Sequence, residues 1–446
     1  MAHEVHRCYF ISSIRLIDRA ELPGGISDLV ARLSRDAEVK RDTQERVARI
    51  LAEVRLEGLD AVLRHTQAFD GLKLDPSRLR IPVDDLTRAL ADLRRSAPEL
   101  IEALESLIAN VRRFAEGQRR CVSDLNLDLP GGGTVGERWV ALSRVGLYVP
   151  GGRAFYPSTL AMTVIPAQIA GVGRIVAVTP PKAEGPEPLM LATAALLGLN
   201  EIYTLGGAQA VGWLAFGEPA VDLIAGPGNR FVAEAKRQIQ GHCGIDSVAG
   251  PTELLIIADE HASAVVVAED MLAQAEHDPD AAAVLVSGDQ DLLNRVEAEL
   301  RTRVAASPRR AILEQSLSAH GMLICATREQ TIAFAQEWAP EHLELMVADP
   351  EAWVPELTTA GALFLGPSSG EAFGDYGAGP NHVLPTSRTA RYSSPLGVAT
   401  FLKRQSLIKL SPADAASMAP WVQRLAQAEG LYHHAMSAEH RGKQGH

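Results

Sequence analysis

The stretch that decides the fold is Val248-Ala-Gly-Pro-Thr-Glu-Leu-Leu-Ile-Ile-Ala-Asp259, followed by a helical segment and the motif Gln274-Ala-Glu-His277. Residues 254–258 form an apolar run of strand length after a Gly-Pro turn signal. The next segment carries apolar residues at helical spacing, and Pro279 ends that helix soon after the motif. Residues 283–286 then read as a second buried strand. The stretch therefore predicts one strand–helix–strand unit.

The same alternation continues on both sides of this stretch. Upstream, it predicts strands at 145–149, 175–179, 201–205 and 221–225, with helices at 158–170, 187–197, 208–216 and 231–240. Downstream, it predicts strands at 322–326, 343–347 and 363–365, with helices between them. Such alternation with short turns is typical of a parallel sheet covered by helices on both faces. The predicted class is α/β, with two doubly wound, Rossmann-like parallel-sheet domains in one chain.

Helical extensions are predicted at both ends of the chain. The pattern of residues 42–69 and of a second block from Ser96 is helical, and the last 50 residues lose the strand signal and end in helix. We expect an arm at 1–40, a main α/β domain from 41–143 together with 252–395, a second Rossmann-like domain at 144–251, and a helical tail at 396–446.

Composition restricts the class of protein. The chain has 446 residues, a formal net charge of −12 and 46% hydrophobic residues. This charge argues against nucleic acid or an anionic membrane as the main partner. No apolar run approaches the roughly 20 residues that span a bilayer, and the N-terminal residues lack a signal-peptide core. The four cysteines are scattered, so we expect a soluble protein of the reducing cytoplasm.

Glycine-rich turns follow three of the upstream strands, where an open α/β sheet binds ligands. They are Pro150-Gly-Gly152, Gly206-Gly-Ala-Gln209 and Gly226-Pro-Gly-Asn229. None matches GxGxxG, and glycines that only make tight turns explain them equally well. Gln209 and Asn229 are the polar groups best placed to hold a ribose or an amide, and Tyr148 is placed to cover a ring.

A metal site is a second hypothesis. Gln274 and His277 lie three residues apart near a helix end, and Asp375 lies in the glycine-rich segment 374–382, which is predicted to be a loop without secondary structure. Together with one histidine of the tail, such residues would suit zinc or another first-row divalent ion with open positions. The alternative is a histidine that only satisfies a helix C-terminus, and a tail that is frayed.

Glu341 and His342 precede a predicted strand and would project from the rim of the sheet. A carboxylate beside an imidazole is able to transfer protons to and from a substrate. The alternative is a chance pair of surface residues.

Several motifs, in order, resemble histidinol dehydrogenases over roughly residues 40–440. They are Gly146-Leu-Tyr-Val-Pro-Gly-Gly152, Gly206-Gly-Ala-Gln209, Gly226-Pro-Gly-Asn229, Gly250-Pro-Thr-Glu253, Gln274-Ala-Glu-His277, Pro340-Glu-His-Leu343, Gly374-Asp-Tyr376, Asn381-His-Val-Leu-Pro385 and Glu429-Gly-Leu431 with His434. The resemblance implies a zinc-containing, NAD-dependent enzyme that oxidises L-histidinol through the aldehyde to L-histidine. It also implies a homodimer whose C-terminal tail completes the site of the partner subunit.

The resemblance also implies roles for individual residues. The zinc ligands would be Gln274, His277, Asp375 and His434, and the proton-transfer pair would be Glu341 and His342. The cofactor contacts would be Tyr148, Gln209 and Asn229. The substrate site would consist of Thr252, His382 and Glu429 together with the metal ligands and His342. Thr252 stands where the family usually has serine, and its hydroxyl preserves the role. His434 rather than His433 keeps the spacing to the preceding motif.

Two other functions remain open at this point. One is a paralogue with the same zinc and NAD that oxidises another small alcohol, such as a sulfonated propanediol, for which Arg391 or Arg404 would have to reach the substrate. The other is a zinc-stabilised binding protein without turnover. Retention of both Glu341 and His342 argues against the binding protein, because binding alone needs no acid–base pair.

Overall fold

The computed structural model describes residues 15–17, 25–33, 41–151, 157–218 and 220–443 of the chain. Gly152 and most of the predicted arm at 1–40 lie outside the described residues. No helix in the described ranges is both long enough and apolar enough to cross a membrane.

The described residues form sixteen α-helices. Their bounds are α1 (Ile26–Leu33), α2 (Arg41–Glu57), α3 (Leu59–Asp70), α4 (Val83–Ser96), α5 (Pro98–Arg120), α6 (Pro157–Ala170), α7 (Pro188–Leu196), α8 (Gly207–Phe216), α9 (Arg230–Ile239), α10 (Ala264–Ala275), α11 (Gln290–Ala306), α12 (Arg310–His320), α13 (Arg328–Trp338), α14 (Glu371–Tyr376), α15 (Pro412–Ala428) and α16 (Tyr432–Lys443).

Fourteen strands accompany them in the described ranges. Their bounds are β1 (Arg15–Ile17), β2 (Leu125–Asp128), β3 (Thr134–Ala141), β4 (Arg144–Tyr148), β5 (Arg174–Thr179), β6 (Ile202–Thr204), β7 (Leu223–Ala225), β8 (Gly244–Ile245), β9 (Glu253–Ala258), β10 (Ala282–Ser287), β11 (Gly321–Cys325), β12 (His342–Met346), β13 (Ala362–Leu365) and β14 (Leu402–Lys409). Every strand predicted from the sequence is present, with ends that differ by at most two residues.

Two parallel sheets form the body of the molecule, as predicted. The five-stranded sheet has the order β6-β5-β4-β7-β8, and the six-stranded sheet has the order β1-β11-β10-β9-β12-β13. Within the second sheet, β9 and β10 are buried along their whole length, which explains why they read as continuous apolar runs. Apart from β1, the two sheets have the same strand order. In each sheet the first strand in sequence lies in the middle, the next two strands lie on one side of it, and the last two lie on the other side.

The long N-terminal helices belong to the core around the five-stranded sheet. The apolar faces of α2 and α3 pack in one cluster with α8, α9 and β5, and that of α5 packs with α6 and β4. Ser96, where the second helical block was predicted to begin, instead ends α4, and its hydroxyl donates to the carbonyl of Asp92 (3.0 Å). The division of the chain into domains stays a prediction.

A third, antiparallel sheet with the order β14-β3-β2 was missed by the sequence analysis. Strand β14 lies within the last 50 residues, so the prediction that this part of the chain has no strand is wrong. Exposed residues make up most of β14, and a strand without a buried face has no apolar alternation to reveal it. Asp414 in α15 joins the tail to this sheet by accepting the backbone N–H groups of Gly131 and Gly133 (2.7 Å each).

Candidate active site

The predicted proton-transfer pair lies at the amino edge of the six-stranded sheet. Strand β12 starts at His342 and runs parallel to β9, with His342 in register with Leu254. The side chains of Glu341 and His342 are therefore beside Thr252 and Glu253, at the start of the neighbouring strand. Glu341 and His342 are 7% and 4% exposed, so they are not the chance surface pair that the sequence left open.

His342 is held as a neutral ring with a defined tautomer. Its Nδ1 lies 3.1 Å from the backbone carbonyl of Glu253, and because a carbonyl only accepts, Nδ1 carries the hydrogen. Burial lowers the pKa of His342, against the opposing effect of Asp375. The lone pair of the neutral ring is consequently on Nε2, which is the atom available to take a proton.

Glu341 is fixed by hydrogen bonds from β9. Its Oε2 accepts the hydroxyl of Thr252 (2.6 Å) and the backbone N–H of Glu253 (3.1 Å), and lies 3.7 Å from Nδ1 of His342. Thr252, which stands where serine was expected, thus donates its hydroxyl to the carboxylate of Glu341.

Gln274 is fully buried near the end of α10. Its partners define the orientation of the amide: the oxygen accepts from the backbone N–H groups of Glu253 (2.7 Å) and Leu254 (3.2 Å), and the nitrogen donates to Oε1 of Glu371 (2.8 Å). In this orientation the oxygen faces the strand. Ligation of a metal by Gln274 therefore requires a rotation of its amide group.

Three side chains form a cluster suited to a metal ion. His277, Glu371 and Asp375 each bring one ligand atom within 4.8 Å of the other two, and Nε2 of His277 is 3.9 Å from Oδ2 of Asp375. One Glu371 oxygen, Oε2, is buried without a hydrogen-bond partner, a state that a nearby cation or a proton would relieve. An imidazole with two carboxylates is a donor set that fits a first-row divalent ion.

The local structure around these ligands differs in two ways from the prediction. Helix α10 ends at Ala275, so His277 lies just beyond the helix rather than on its face. Asp375 lies in the short helix α14, whereas the sequence predicted a loop without secondary structure. The glycines around Asp375 obscured that one helical turn, since glycine disfavours helices in isolation.

The electrostatics favour a cation at this cluster. Desolvation, with smaller contributions from His342 and Arg309, lowers the pKa of His277 to about 4, although 36% of the side chain is exposed. Burial raises the pKa of Asp375 to about 6. Burial also raises the pKa of Glu371 well above its usual value, and the neighbouring carboxylates Asp375, Glu344, Glu341 and Asp270 add to the effect. A divalent cation would offset this concentration of negative charge.

Glu371 is the residue that the sequence analysis missed. It lies four residues before Asp375, so the two share one face of α14, but the spacing had no meaning while the segment was read as a loop. Its backbone N–H donates to Oε1 of Glu344 (2.7 Å), and Glu344 is fully buried. Asp270 is half-buried near Glu344, and burial raises its pKa to about 6.

His382 joins the cluster from the following loop. Its Nδ1 lies 3.2 Å from the carbonyl of Asp375, and its Nε2 lies 3.2 Å from the hydroxyl of Thr159 in α6. Desolvation lowers the pKa of His382 to about 4. This ring therefore connects α14 to the helix that covers the other sheet.

The predicted tail residues do not reach the cluster in one chain. Glu429 and His434 are both exposed on the hairpin of α15 and α16. Among the described residues, no hydrogen bond or ion pair joins either of them to the cluster. In one chain the cluster therefore contains His277, Asp375 and Glu371, with the buried Gln274 beside Glu371 and without His434. The roles of these residues as metal ligands stay a prediction.

The three predicted cofactor residues lie at the carboxyl edge of the five-stranded sheet. Tyr148 ends β4 and its hydroxyl accepts the backbone N–H of Gly207 (3.1 Å). Gln209 is buried in α8, with its amide nitrogen 3.5 Å from the hydroxyl of Thr66. Asn229 caps α9 by accepting the backbone N–H groups of Phe231 (3.0 Å) and Val232 (3.2 Å). Tyr148 is 2% exposed, so its ring is part of the core and does not stand over an open pocket.

The carboxyl edge of the six-stranded sheet has a cavity of about 550 Å³, lined by residues that include Asp259, Ser287, Asp289, Arg328 and Trp353. It lies at the opposite edge from Glu341 and His342, and none of the predicted site residues lines it.

The chain is similar to histidinol dehydrogenases over nearly its whole length. A family model described as histidinol dehydrogenase matches residues 33–442. The histidinol dehydrogenase of Pseudomonas savastanoi pv. phaseolicola is 44% identical over 436 residues, which cover 96% of both chains. That of Thermosynechococcus vestitus is 44% identical over 420 residues, which cover 92% of this chain and 96% of the relative. The crystal structure of histidinol dehydrogenase from Elizabethkingia anophelis matches with a TM-score of 0.89 and 32% identity, covering 98% of this chain and 99% of that one.

Proposed function

The chain belongs to the histidinol dehydrogenase family, an oxidoreductase family, and from this premise we propose that it oxidises L-histidinol in two NAD-dependent steps, through L-histidinal, to L-histidine. A resident zinc ion is the second cofactor of the proposal, and the cytoplasm is the proposed location.

The observation that carries the proposal is the convergence of side chains from four separate segments at one sheet edge. Thr252, His277, His342 and Asp375 are far apart in sequence, yet they are linked within one cluster by contacts through Gln274, Glu341 and Glu371. Buried acids and bases are costly to fold, and their presence together points to chemistry on a substrate.

Zinc would be held by His277 and Asp375 as they stand, and by Gln274 after its amide turns its oxygen away from β9. His434 of the partner subunit would complete the set. When bound, the ion would supply a Lewis acid that anchors the nitrogen atoms of the substrate. Glu371 lies beside Gln274 and supports the charge balance of the site. Thr252, His382 and Glu429 are the further substrate contacts in the proposal.

His342 is the proposed base for the alcohol. Its Nδ1–H is committed to the carbonyl of Glu253, which leaves Nε2 to accept the hydroxyl proton as the hydride leaves for NAD. Because burial lowers the pKa of His342, the ring is neutral and ready to act as a base at pH 7.

Glu341 is the proposed base for the second step. The aldehyde must add water before a second hydride can leave, and the carboxylate of Glu341 can take the proton of that water. The hydroxyl of Thr252 and the backbone N–H of Glu253 orient this carboxylate. Removal of either hydrogen bond would therefore affect the second oxidation.

NAD is proposed to bind at the carboxyl edge of the five-stranded sheet, against Tyr148, Gln209 and Asn229. Helices α8 and α9 begin at this edge, and helix N-termini favour the phosphates of a dinucleotide. NAD would serve as the hydride acceptor. Tyr148 would support the cofactor site from the core of the domain, because its hydroxyl accepts the backbone N–H of Gly207 and so fixes the start of α8.

A homodimer is proposed because the candidate site of one chain lacks its tail residues. The hairpin that carries Glu429 and His434 also exposes large apolar side chains, which are Trp421 (51%), Leu425 (57%), Leu431 (42%) and Tyr432 (65%). Exposed apolar side chains grouped in this way favour burial against a partner. A symmetric pair of chains would let each tail complete the site of the other.

The test is an assay of NADH formation with L-histidinol, with 2,3-dihydroxypropane-1-sulfonate as the control alcohol. We expect two NADH for each L-histidinol, one for each L-histidinal, and none from the sulfonate. One NADH per L-histidinol with accumulation of the aldehyde would refute the two-step proposal.

A further inference from the structure

A buried ion pair lies outside the cluster described above. Lys236 in α9 and Asp246 just after β8 form a salt bridge, and their side chains are only 2% and 4% exposed. Neither residue was singled out in the sequence. No proposed step of proton transfer or metal binding involves either of them.

Both partners of this pair bind the same glycine. Oδ2 of Asp246 accepts the backbone N–H of Gly226 (2.7 Å), and Nζ of Lys236 donates to the carbonyl of Gly226 (3.0 Å). The salt bridge therefore closes a ring that passes through the backbone of this residue. Asp246 also accepts the N–H of Ser247 (2.6 Å), which fixes the carboxylate itself.

Gly226 has a backbone conformation that needs such support. Its φ is +109°, and a Cβ at this position would lie 2.2 Å from the carbonyl oxygen of Tyr148. Only glycine fits there, and glycine has many alternative conformations to populate. Without the two side chains, the turn would be free to leave the one conformation in which it passes beside β4.

Stability alone does not account for the pair. A buried salt bridge recovers little more than the cost of desolvating both charges, and an apolar pair of similar volume often serves the fold equally well. Its two hydrogen bonds to one residue, by contrast, select a single conformation of the turn.

The turn itself lies where a ligand would contact it. Residues 226–229 connect the carboxyl end of β7 to α9, and β7 is paired with β4 at the point where the strand order of the sheet reverses. Ligands of open α/β sheets bind at this reversal point. Asn229, the last residue of the turn, caps the helix whose N-terminus faces the same edge.

We infer that Lys236 and Asp246 are positioning residues that hold the 226–229 turn in the conformation that binds the dinucleotide. This inference rests on the proposed cofactor site at the carboxyl edge of the five-stranded sheet. Neither residue touches the cofactor; both act through Gly226.

Two double variants separate positioning from charge. Lys236→Met/Asp246→Asn removes both charges but keeps an acceptor for the N–H of Gly226, whereas Lys236→Met/Asp246→Leu removes both hydrogen bonds. Arg237→Met is the matched control, since Arg237 is the next residue of α9 and forms an ion pair with Glu234 (2.6 Å) without bonding to the turn.

Binding of NADH, binding of L-histidine and amide hydrogen exchange of residues 226–232 are measured on the full chain, with the thermal midpoint as the check of folding. If the binding conformation of the turn falls to about a tenth of the population, the Kd for NADH rises about tenfold. We expect this rise in the Met/Leu variant, a smaller rise in the Met/Asn variant and none in Arg237→Met. The Kd for L-histidine stays unchanged, and exchange in the turn becomes faster without NADH.

The outcomes distinguish the inference from its premise. If NADH protects residues 226–232 in the wild type but both double variants bind NADH as the wild type does, the inference is wrong and the cofactor site stands. If NADH does not protect this turn in the wild type, the proposed cofactor site is wrong and the inference falls with it. If the Met/Leu variant does not fold, the Met/Asn variant decides, because it retains the hydrogen bond to Gly226.

Discussion

The two parallel sheets share one strand order but carry their candidate sites at opposite edges. In the five-stranded sheet, the glycine turns and Asn229 lie at the carboxyl edge, where α8 and α9 begin. In the six-stranded sheet, Glu341, His342 and the cluster around His277 lie at the amino edge, close to the end of α10.

The direction of the helices explains this difference. In a parallel sheet the helices begin at the carboxyl edge and end at the amino edge, so the first edge is electropositive and the second electronegative. A dinucleotide phosphate suits the first edge, and a metal ion or a cationic amino alcohol suits the second. One topology thus has two edges that suit ligands of opposite charge.

The largest effect is expected at the amino edge. His342→Ala should lower kcat with L-histidinol by about 10²–10⁴-fold, because it removes the proposed general base. Zinc content, measured by atomic absorption, should remain that of the wild type. Loss of zinc together with activity would show that His342 is a ligand and that the proposed roles must be exchanged.

The second prediction concerns which of the two candidate sites is complete within one chain. Truncation before Glu429 should leave a folded chain that retains NADH binding, since it removes no strand, but this chain should bind zinc weakly and be inactive. Only the amino-edge site is proposed to need the partner's tail.

Mixed dimers test the same point from the other direction. When His434→Ala and His342→Ala chains are co-expressed, half of the dimers are mixed and each has one intact site, so about a quarter of the wild-type activity should return. Absence of activity in a verified mixed dimer would show that the tail does not serve the partner.

The third prediction is a smaller, pH-dependent change in folding stability that comes from Glu344, a buried residue next to the amino-edge cluster. Burial and the neighbouring Asp270 raise the pKa of Glu344 from 4.5 to about 8. A raised carboxyl pKa means that folding takes up a proton, so this residue favours the folded state less as pH rises from 4.5 to 8. Glu344→Gln, which stays neutral, should therefore be more stable than the wild type above pH 8, by at least about 1 kcal/mol, and equally stable near pH 5.

Glu234→Gln is the control for this prediction, because Glu234 is equally buried but has the opposite pKa shift. Burial opposes the shift, but hydrogen bonds from Arg237 and Gln238 lower the pKa overall. This variant should be less stable than the wild type at pH 8. Urea unfolding at the two pH values measures both variants, and a destabilised Glu344→Gln at pH 8 would contradict the assignment of a neutral Glu344.

Strands buried on both faces were readable from the sequence, because their apolar runs have strand length and glycine turns follow them. The antiparallel strand β14 was not, since its residues are mostly exposed and its partner β3 is more than 250 residues away in sequence. Local patterns carry no information about such pairing.

The candidate site was predicted through motifs, and the geometry added what motifs cannot contain. Gln274, His277 and Asp375 do lie close together, but the buried Glu371 became visible only because the segment 371–376 is the helix α14. The orientation of the Gln274 amide depends on the backbone of β9 and on Glu371, which are separate in sequence.

The central claim is that the two edges bind their ligands independently, and one pair of variants tests it most directly. His277→Ala and Asn229→Ala are each measured for zinc affinity by chelator competition and for NADH affinity by fluorescence. The account predicts that His277→Ala loses at least about tenfold in zinc affinity while its NADH affinity is unchanged, and that Asn229→Ala shows the reverse pattern. Loss of both ligands in both variants, or full zinc affinity in His277→Ala, would contradict the account.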